Sequence, residues 1–144
     1  MEITFYAYGH PNIKATHRTT LEITKDDFLT PKGTCIIGIK SGVACFDIPE
    51  TMKKEMRNSR TKIIIVLEID GLRDEITAYG DEKLRLISRN SMVIRKSTYI
   101  DDRTLAIRAD KAAKDINREI VKKLRDPNKK ITITLKVVNP KYSR

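Results

Sequence analysis

Ala7-Tyr8-Gly9-His10 returns 71 residues later as Ala78-Tyr79-Gly80-Asp81, and the fold can be read outward from this stretch. At the same offset Arg18 meets Arg89, Ile23 meets Ile94 and Lys25 meets Lys96, giving 6 identities in 23 positions. After a three-residue deletion the offset becomes 68 and holds without a gap for 33 positions, 10 of them identical, among them Ala44/Ala112, Asp47/Asp115, Ile48/Ile116, Lys54/Lys122, Arg57/Arg125 and Ile65/Ile133. Unrelated segments of ordinary composition agree at roughly one position in fifteen. The chain therefore reads as a tandem duplication in one domain spanning 1–144, with repeat one at about 3–69 and repeat two at about 74–137. Each copy becomes a control for the other. What both keep is expected to be fold, and what one alone carries is a candidate for function.

Alternation with period two marks the strands. Phe5/Ile76 and Ala7/Ala78 share an inward face. His17/Ser88, Thr19/Asn90, Leu21/Met92 and Ile23/Ile94 share the inward face of a second strand, expected to form a hairpin with the first. The third strand is Cys35–Lys40, twinned with Arg103–Arg108. Ala44, Ile48, Met52 and Met56 recur as Ala112, Ile116, Ile120 and Leu124, an i, i+4 stripe that predicts a helix in each copy, capped in the first by Asp47 before Pro49. In the last strand Ile131, Ile133, Leu135 and Val137 point in. Each unit is thus β-β-β-α-β, and the expected fold is α+β: a pseudo-twofold, closed or partly open β-barrel with two helices, two stacked sheets being the other arrangement.

At 144 residues, either half by itself is small for an independent core, so the two are expected to share one. Neither a secretion signal nor an apolar run long enough to span a bilayer is present, which predicts a cytoplasmic protein. In that reducing setting Cys35 and Cys45 are expected as buried thiols. Charged residues make up 33% of the chain and Gln is absent, a lean towards a thermophile. The net charge of +10 is unevenly spread: ten Lys/Arg face nine Asp/Glu over 1–72, against nineteen and ten over 73–144. Such a field attracts phosphate-bearing partners.

Two constellations follow. Lys111, Lys114, Arg118, Lys122 and Arg125 step along the second predicted helix as one basic stripe, and Lys83, Arg85, Arg95 and Arg108 extend it from the strands, a pattern suited to RNA or other nucleic acid. The competing view pairs these cations with Asp115, Glu119 and Asp126. Both histidines lie in one segment of the first repeat, where His10, Asn12, His17, Thr19 and Thr20 are ligand-binding candidates at the expected barrel mouth, for an enzyme or a small-molecule binder. The structural alternative for the histidines is a hydrogen-bonded, partly buried ring. No nucleophile-base-acid spacing or phosphate-cradling glycine loop is present, no spacing of His10, His17, Cys35 and Cys45 has a zinc-site form, and no cofactor is identified. Exposed Tyr6, Tyr8 and Tyr79 are candidates for stacking on bases. Ile64 and Val66, where repeat two has Thr132 and Thr134, predict an apolar outer patch for a homodimer unless the Lys141-Tyr142-Ser143-Arg144 tail covers it.

The run Ala7-Tyr8-Gly9-His10-Pro11-Asn12-Ile13, with Thr16-His17, Thr19-Thr20-Leu21-Glu22-Ile23-Thr24-Lys25 and Gly33-Thr34-Cys35-Ile36-Ile37-Gly38, resembles the archaeal domain-of-unknown-function family 371. Thr34 stands where that pattern has an acidic residue. The resemblance implies an archaeal, intracellular protein and supplies no reaction.

Overall fold

The computed structural model describes residues 1–140; the Lys141–Arg144 tail, and any cover it gives Ile64 and Val66, lies outside the described residues. The element order is β1 (Glu2–Tyr8), β2 (Thr20–Thr24), β3 (Ile36–Gly38), a 3-10 turn (Cys45–Asp47), α1 (Glu50–Met56), β4 (Lys62–Ile69), and then the same series again: β5 (Leu72–Tyr79), β6 (Ser91–Arg95), β7 (Thr104–Ala106), a 3-10 turn (Ala113–Asp115), α2 (Arg118–Lys123) and β8 (Lys130–Val138). Two four-stranded sheets result, ordered β1-β8-β4-β5 and β3-β2-β6-β7. Exchanging each strand for its counterpart in the other half maps both orders onto themselves.

The sheets are not closed into a barrel, which corrects that expectation. At each corner one bridge joins them, Tyr8 to Ile39 and Tyr79 to Ile107, and pairing stops there. The reason lies in the chain just beyond: Lys40 and Arg108 both adopt φ of 52°, turning the backbone out of strand geometry after a single bonded pair. Gly42 and Asp110 then donate to the carbonyls of Tyr6 and Thr77, so the sheet edges are covered without being extended.

Inward parity holds along the long strands. Ile63, Ile65 and Leu67 of β4 and Ile131, Ile133 and Leu135 of β8 are at most 1% exposed, each contributing on the order of 2 kcal/mol of burial. They join Leu21, Ile23, Met92 and Ile94 from the other sheet in one hydrophobic cluster to which both halves contribute. The β4–β5 hairpin closes through Asp70 and Gly71, both with positive φ, the geometry that matches the twist of the flanking strands.

The expected β1–β2 hairpin is absent: β1 pairs with β8, while β2 pairs with β6 and lies parallel to β3. The segment between β1 and β2 instead crosses from one sheet to the other. The helices are also shorter than the i, i+4 stripe predicts. Ile48 and Ile116 are extended (ψ 133° and 140°), so each stripe is a 3-10 turn, a break and a short helix. Pro49 enforces the break in the first half by disfavouring helical geometry at Ile48. Asn117 restarts the helix in the second, its side chain accepting from the Glu119 and Ile120 amides. Asp47 caps the 3-10 turn through the Ala44 amide rather than α1. The stripe residues are buried all the same.

Candidate functional site

The repeated Ala-Tyr-Gly motif positions the site. Gly9 donates to the Lys129 carbonyl, and His10 donates to the Leu124 carbonyl at the end of α2 (3.1 and 2.8 Å). A Cβ on Gly9 would collide with the carbonyl oxygens of Leu124 and Asp126, so only glycine lets the chain pass. From there the loop lies along α2. Arg125 Nε donates to the Ile13 carbonyl (3.4 Å), both terminal nitrogens of Arg118 donate to the Ala15 carbonyl (3.0 Å each), and the Lys114 amide donates to the His17 carbonyl (3.1 Å). The histidine segment of the first half and the basic segment of the second, read separately in the sequence, form one surface.

The other half builds the same arrangement with different chemistry. Gly80 passes the carbonyls of Met56 and Asn58, Asp81 donates to Met56, Arg57 donates to Leu84 and Arg85, and Phe46 donates to Ser88. Even the left-handed residue recurs, Ala15 at φ 49° and Leu86 at φ 55°. Charge content differs. Residues 9–19 with 113–126 carry seven Lys/Arg against three Asp/Glu, and both histidines; residues 80–90 with 45–58 carry six against five. One of those six, Lys53, is buried and donates to the Phe46 carbonyl, and another, Arg89, stacks 4.1 Å from the Phe46 ring centroid. In the first surface the positions of Arg89 and Phe46 are held by two cations, Arg18 and Lys114.

The histidines do not face an interior. His17 precedes β2, and its Nδ1 accepts from the amides of Thr19 and Thr20, both at 3.2 Å; His10 Nδ1 accepts from the Asn12 amide at 3.0 Å. Their counterparts do the same work: Asp81 accepts from Lys83, and Ser88 from Asn90 and Ser91. Asn12 donates to the Leu29 carbonyl, and the Thr19 and Thr20 hydroxyls lie 3.4 Å apart. Three concavities lie elsewhere: about 260 Å³ beside Met1, Glu55 and Val137, about 490 Å³ beside Arg85 and Asp101, and about 320 Å³ between Glu119, Lys122 and Lys129, the last adjoining the α2 surface.

The predicted basic stripe is not a single helix face. Lys111 and Lys114 precede α2 and Arg125 follows it, because the helix spans only Arg118–Lys123. Lys111 pairs with Asp74, Arg85 with Asp102, and Arg95 with Asp101, while Arg108 donates to the Ser59 carbonyl and stacks on Tyr79. Lys83, Lys114 and Lys122 are exposed, and among the described residues they form no ion pair. Of the expected acidic partners, Asp115 pairs with Lys96, whereas Glu119 and Asp126 pair with no described cation. The Lys96 hydrogen bond holds the Asp115 carboxyl below its ordinary range. Lys14 and Arg18 also belong to this surface. Sequence marked Arg18 only as a repeated residue, and which helix the loop lies against is a long-range property that local patterns do not carry.

Tyr6 is 46% exposed with Lys130 Nζ over its ring, and Tyr8 and Tyr79 are half-buried. Val66 is 2% exposed and Ile64 half-buried. Cys35 and Cys45 are free thiols. Burial pushes Cys45 up to about 12, and burial together with the Glu22 carboxylate pushes Cys35 up to about 11, which keeps both protonated and poorly nucleophilic at neutral pH. Among the described residues no group of three or more His, Cys, Asp or Glu is placed to hold a metal ion, and no helix is long and apolar enough to cross a membrane.

The family model described as "Domain of unknown function (DUF371)" matches residues 5–138, which include both loops, both helices and most of each sheet. The chain belongs to the DUF371 family. This DUF371 chain is 53% identical over 126 residues to the uncharacterized protein MJ0206 of Methanocaldococcus jannaschii, a match covering 88% of this chain and 93% of that protein. The family and the archaeal relative are those the resemblance implies; neither carries a reaction to this DUF371 protein.

Proposed function

We propose that this protein is a non-enzymatic RNA-binding domain whose contact surface is α2, the 3-10 turn before it and the first-half loop held against them. The observation that carries this reading is the contrast between two surfaces of one geometry. The arrangement requires no excess charge, since the Gly80 loop on α1 is built with six cations and five anions, yet its counterpart has seven against three. Lys14, Arg18, Lys114 and Lys122 are exposed there and form no ion pair among the described residues. Like charges gathered without counter-charges raise the energy of the free protein, and a polyanion relieves it while releasing its own counterions. A cytoplasmic location, where RNA is present and both thiols stay reduced, goes with this reading. We infer too that the halves descend from one duplicated unit; the shared strand order, glycine crossings and left-handed residues support it.

Binding of a fluorescent single-stranded RNA, followed by anisotropy across salt concentrations, is the test. Log affinity is expected to fall with log salt at a slope of about −3, as four or five phosphate contacts give. Lys114→Glu and Lys122→Glu are each expected to weaken binding about tenfold and to flatten that slope by about 0.7. Absence of binding at about 50 mM salt, or affinity indifferent to both reversals, removes the proposal.

A further inference from the structure

A backbone amide only donates, so the contacts to His10 Nδ1 and His17 Nδ1 fix where each neutral ring holds its proton: Nδ1 keeps the lone pair and Nε2 carries the hydrogen. Among the described residues neither Nε2 has a hydrogen-bond partner. Neither is a buried unsatisfied atom, a condition met among the described residues only by Thr61 Oγ1, so both reach solvent. The backbone role does not explain the choice of imidazole, because Asp81 and Ser88 fill it in the other half with smaller side chains. What the imidazole adds is an outward N–H donor, at two positions of the positively charged surface and at neither counterpart. The same wiring disfavours the roles of general base and metal ligand at Nε2, whose lone pair is committed to the N–H bond.

We propose that His10 and His17 donate their Nε2–H groups to phosphate oxygens of an RNA backbone lying on this surface, fixing its path where Lys14, Arg18, Lys114 and Lys122 supply attraction. The inference rests on the RNA-binding reading and deepens it. A donor in fixed geometry to an ionised oxygen adds a directed, charge-assisted bond where flexible lysines act as point charges.

The test replaces each ring by a shorter side chain that keeps the backbone contact and withdraws the outward donor from the position of Nε2: His17→Ser, copying Ser88, and His10→Asn. Both variants are expected to retain the wild-type thermal midpoint, and the double variant to lose about tenfold in affinity for a single-stranded RNA 12-mer. Unchanged affinity in a folded double variant, with Lys122→Glu still weakening binding, overturns the histidine role and leaves the RNA reading standing; a wild-type protein that binds no RNA removes both. If the double variant fails to fold, long-range proton–nitrogen spectra of the wild-type protein at about pH 8 decide the wiring: a proton on Nε2 of both rings is expected, and a proton on Nδ1 of either overturns the proposal. Inorganic phosphate at constant ionic strength is expected to compete no better than chloride. Displacement of the RNA by millimolar phosphate indicates a free-phosphate pocket and also overturns it.

Discussion

The Gly9 loop on α2 and the Gly80 loop on α1 are two versions of one construction, and their differences fall into two kinds. Some changes exchange one structural solution for another: where the first half has Ile3, Val43 and Pro49, the second has Asp74, Lys111 and Asn117. Asp74 accepts from the Lys111 ammonium and from the Asn117 amide, a donor that a proline cannot supply. Three uncharged residues are replaced as a set by an ion pair with its hydrogen bonds, and the surrounding backbone keeps its course. Other changes raise the charge: His10, His17 and Lys114 replace Asp81, Ser88 and Phe46, while Arg118 in place of Glu50 adds charge and also bonds the Ala15 carbonyl. Backbone contacts measure what the fold needs; charge beyond that need marks the surface where a partner is proposed.

The largest expected effect tests the glycine crossings. Gly9→Ala and Gly80→Ala each force a Cβ against helix-end carbonyls and are expected to cost about 3 kcal/mol or more in chemical denaturation. A cost confined to one half breaks the equivalence of the two constructions.

Next comes the Asp74 set. Asp74→Ala strands the Lys111 ammonium and the Asn117 amide and is expected to cost about 2–3 kcal/mol, whereas importing the other half's trio through Asp74→Ile, Lys111→Val and Asn117→Pro together is expected to recover most of that loss. Acid titration sharpens the point. Burial pushes the Asp74 carboxyl up, but the hydrogen bonds from Lys111, Asn117 and Glu75 outweigh it, and the folded-state pKa lies below the ordinary value. A depressed carboxyl contributes stability that is present above its unfolded pKa and is lost as pH falls through the folded one. Thermal midpoints of the wild type should therefore drop as pH is taken below about 4, with a shallower fall in the apolar triple variant. An identical acid limb in both would remove Asp74 from the account.

Smaller effects separate the charged surface from its counterpart. Lys122 and Lys54 are equivalent and both exposed. Lys122→Glu is expected to weaken RNA binding about tenfold and Lys54→Glu by less than about twofold; equal losses would mean that RNA does not distinguish the surfaces. The smallest expected change is Thr61→Val. It removes a buried hydroxyl with no hydrogen-bond partner among the described residues and should alter stability by no more than about 0.5 kcal/mol in either direction.

Much of the fold was legible because strand parity and repetition are local. Ile131, Ile133 and Leu135 read as inward and are buried. The helix reading ran too long for an equally local reason. Ala44, Ile48, Met52 and Met56 satisfy helical spacing while a 3-10 turn and an extended residue deliver the same four side chains to the core. His17 reads as inward when the parity of Leu21 and Ile23 is extended back to it, past the start of β2 at Thr20. Ser88 accepting from the backbone in the other half is the internal clue that His17 belongs to a turn.

By itself the sequence determined that residues recur at offsets of 71 and 68, which residues are apolar on alternate positions, and that positive charge gathers in the second half. These are properties of neighbours along the chain, set by side-chain chemistry and backbone period. Tertiary structure decided that β1 pairs with β8 rather than β2, that the sheets stop short of closure, and that the first half's histidines meet the second half's cations. Those outcomes depend on which backbone donors satisfy which acceptors across a hundred residues, and no local period encodes that choice.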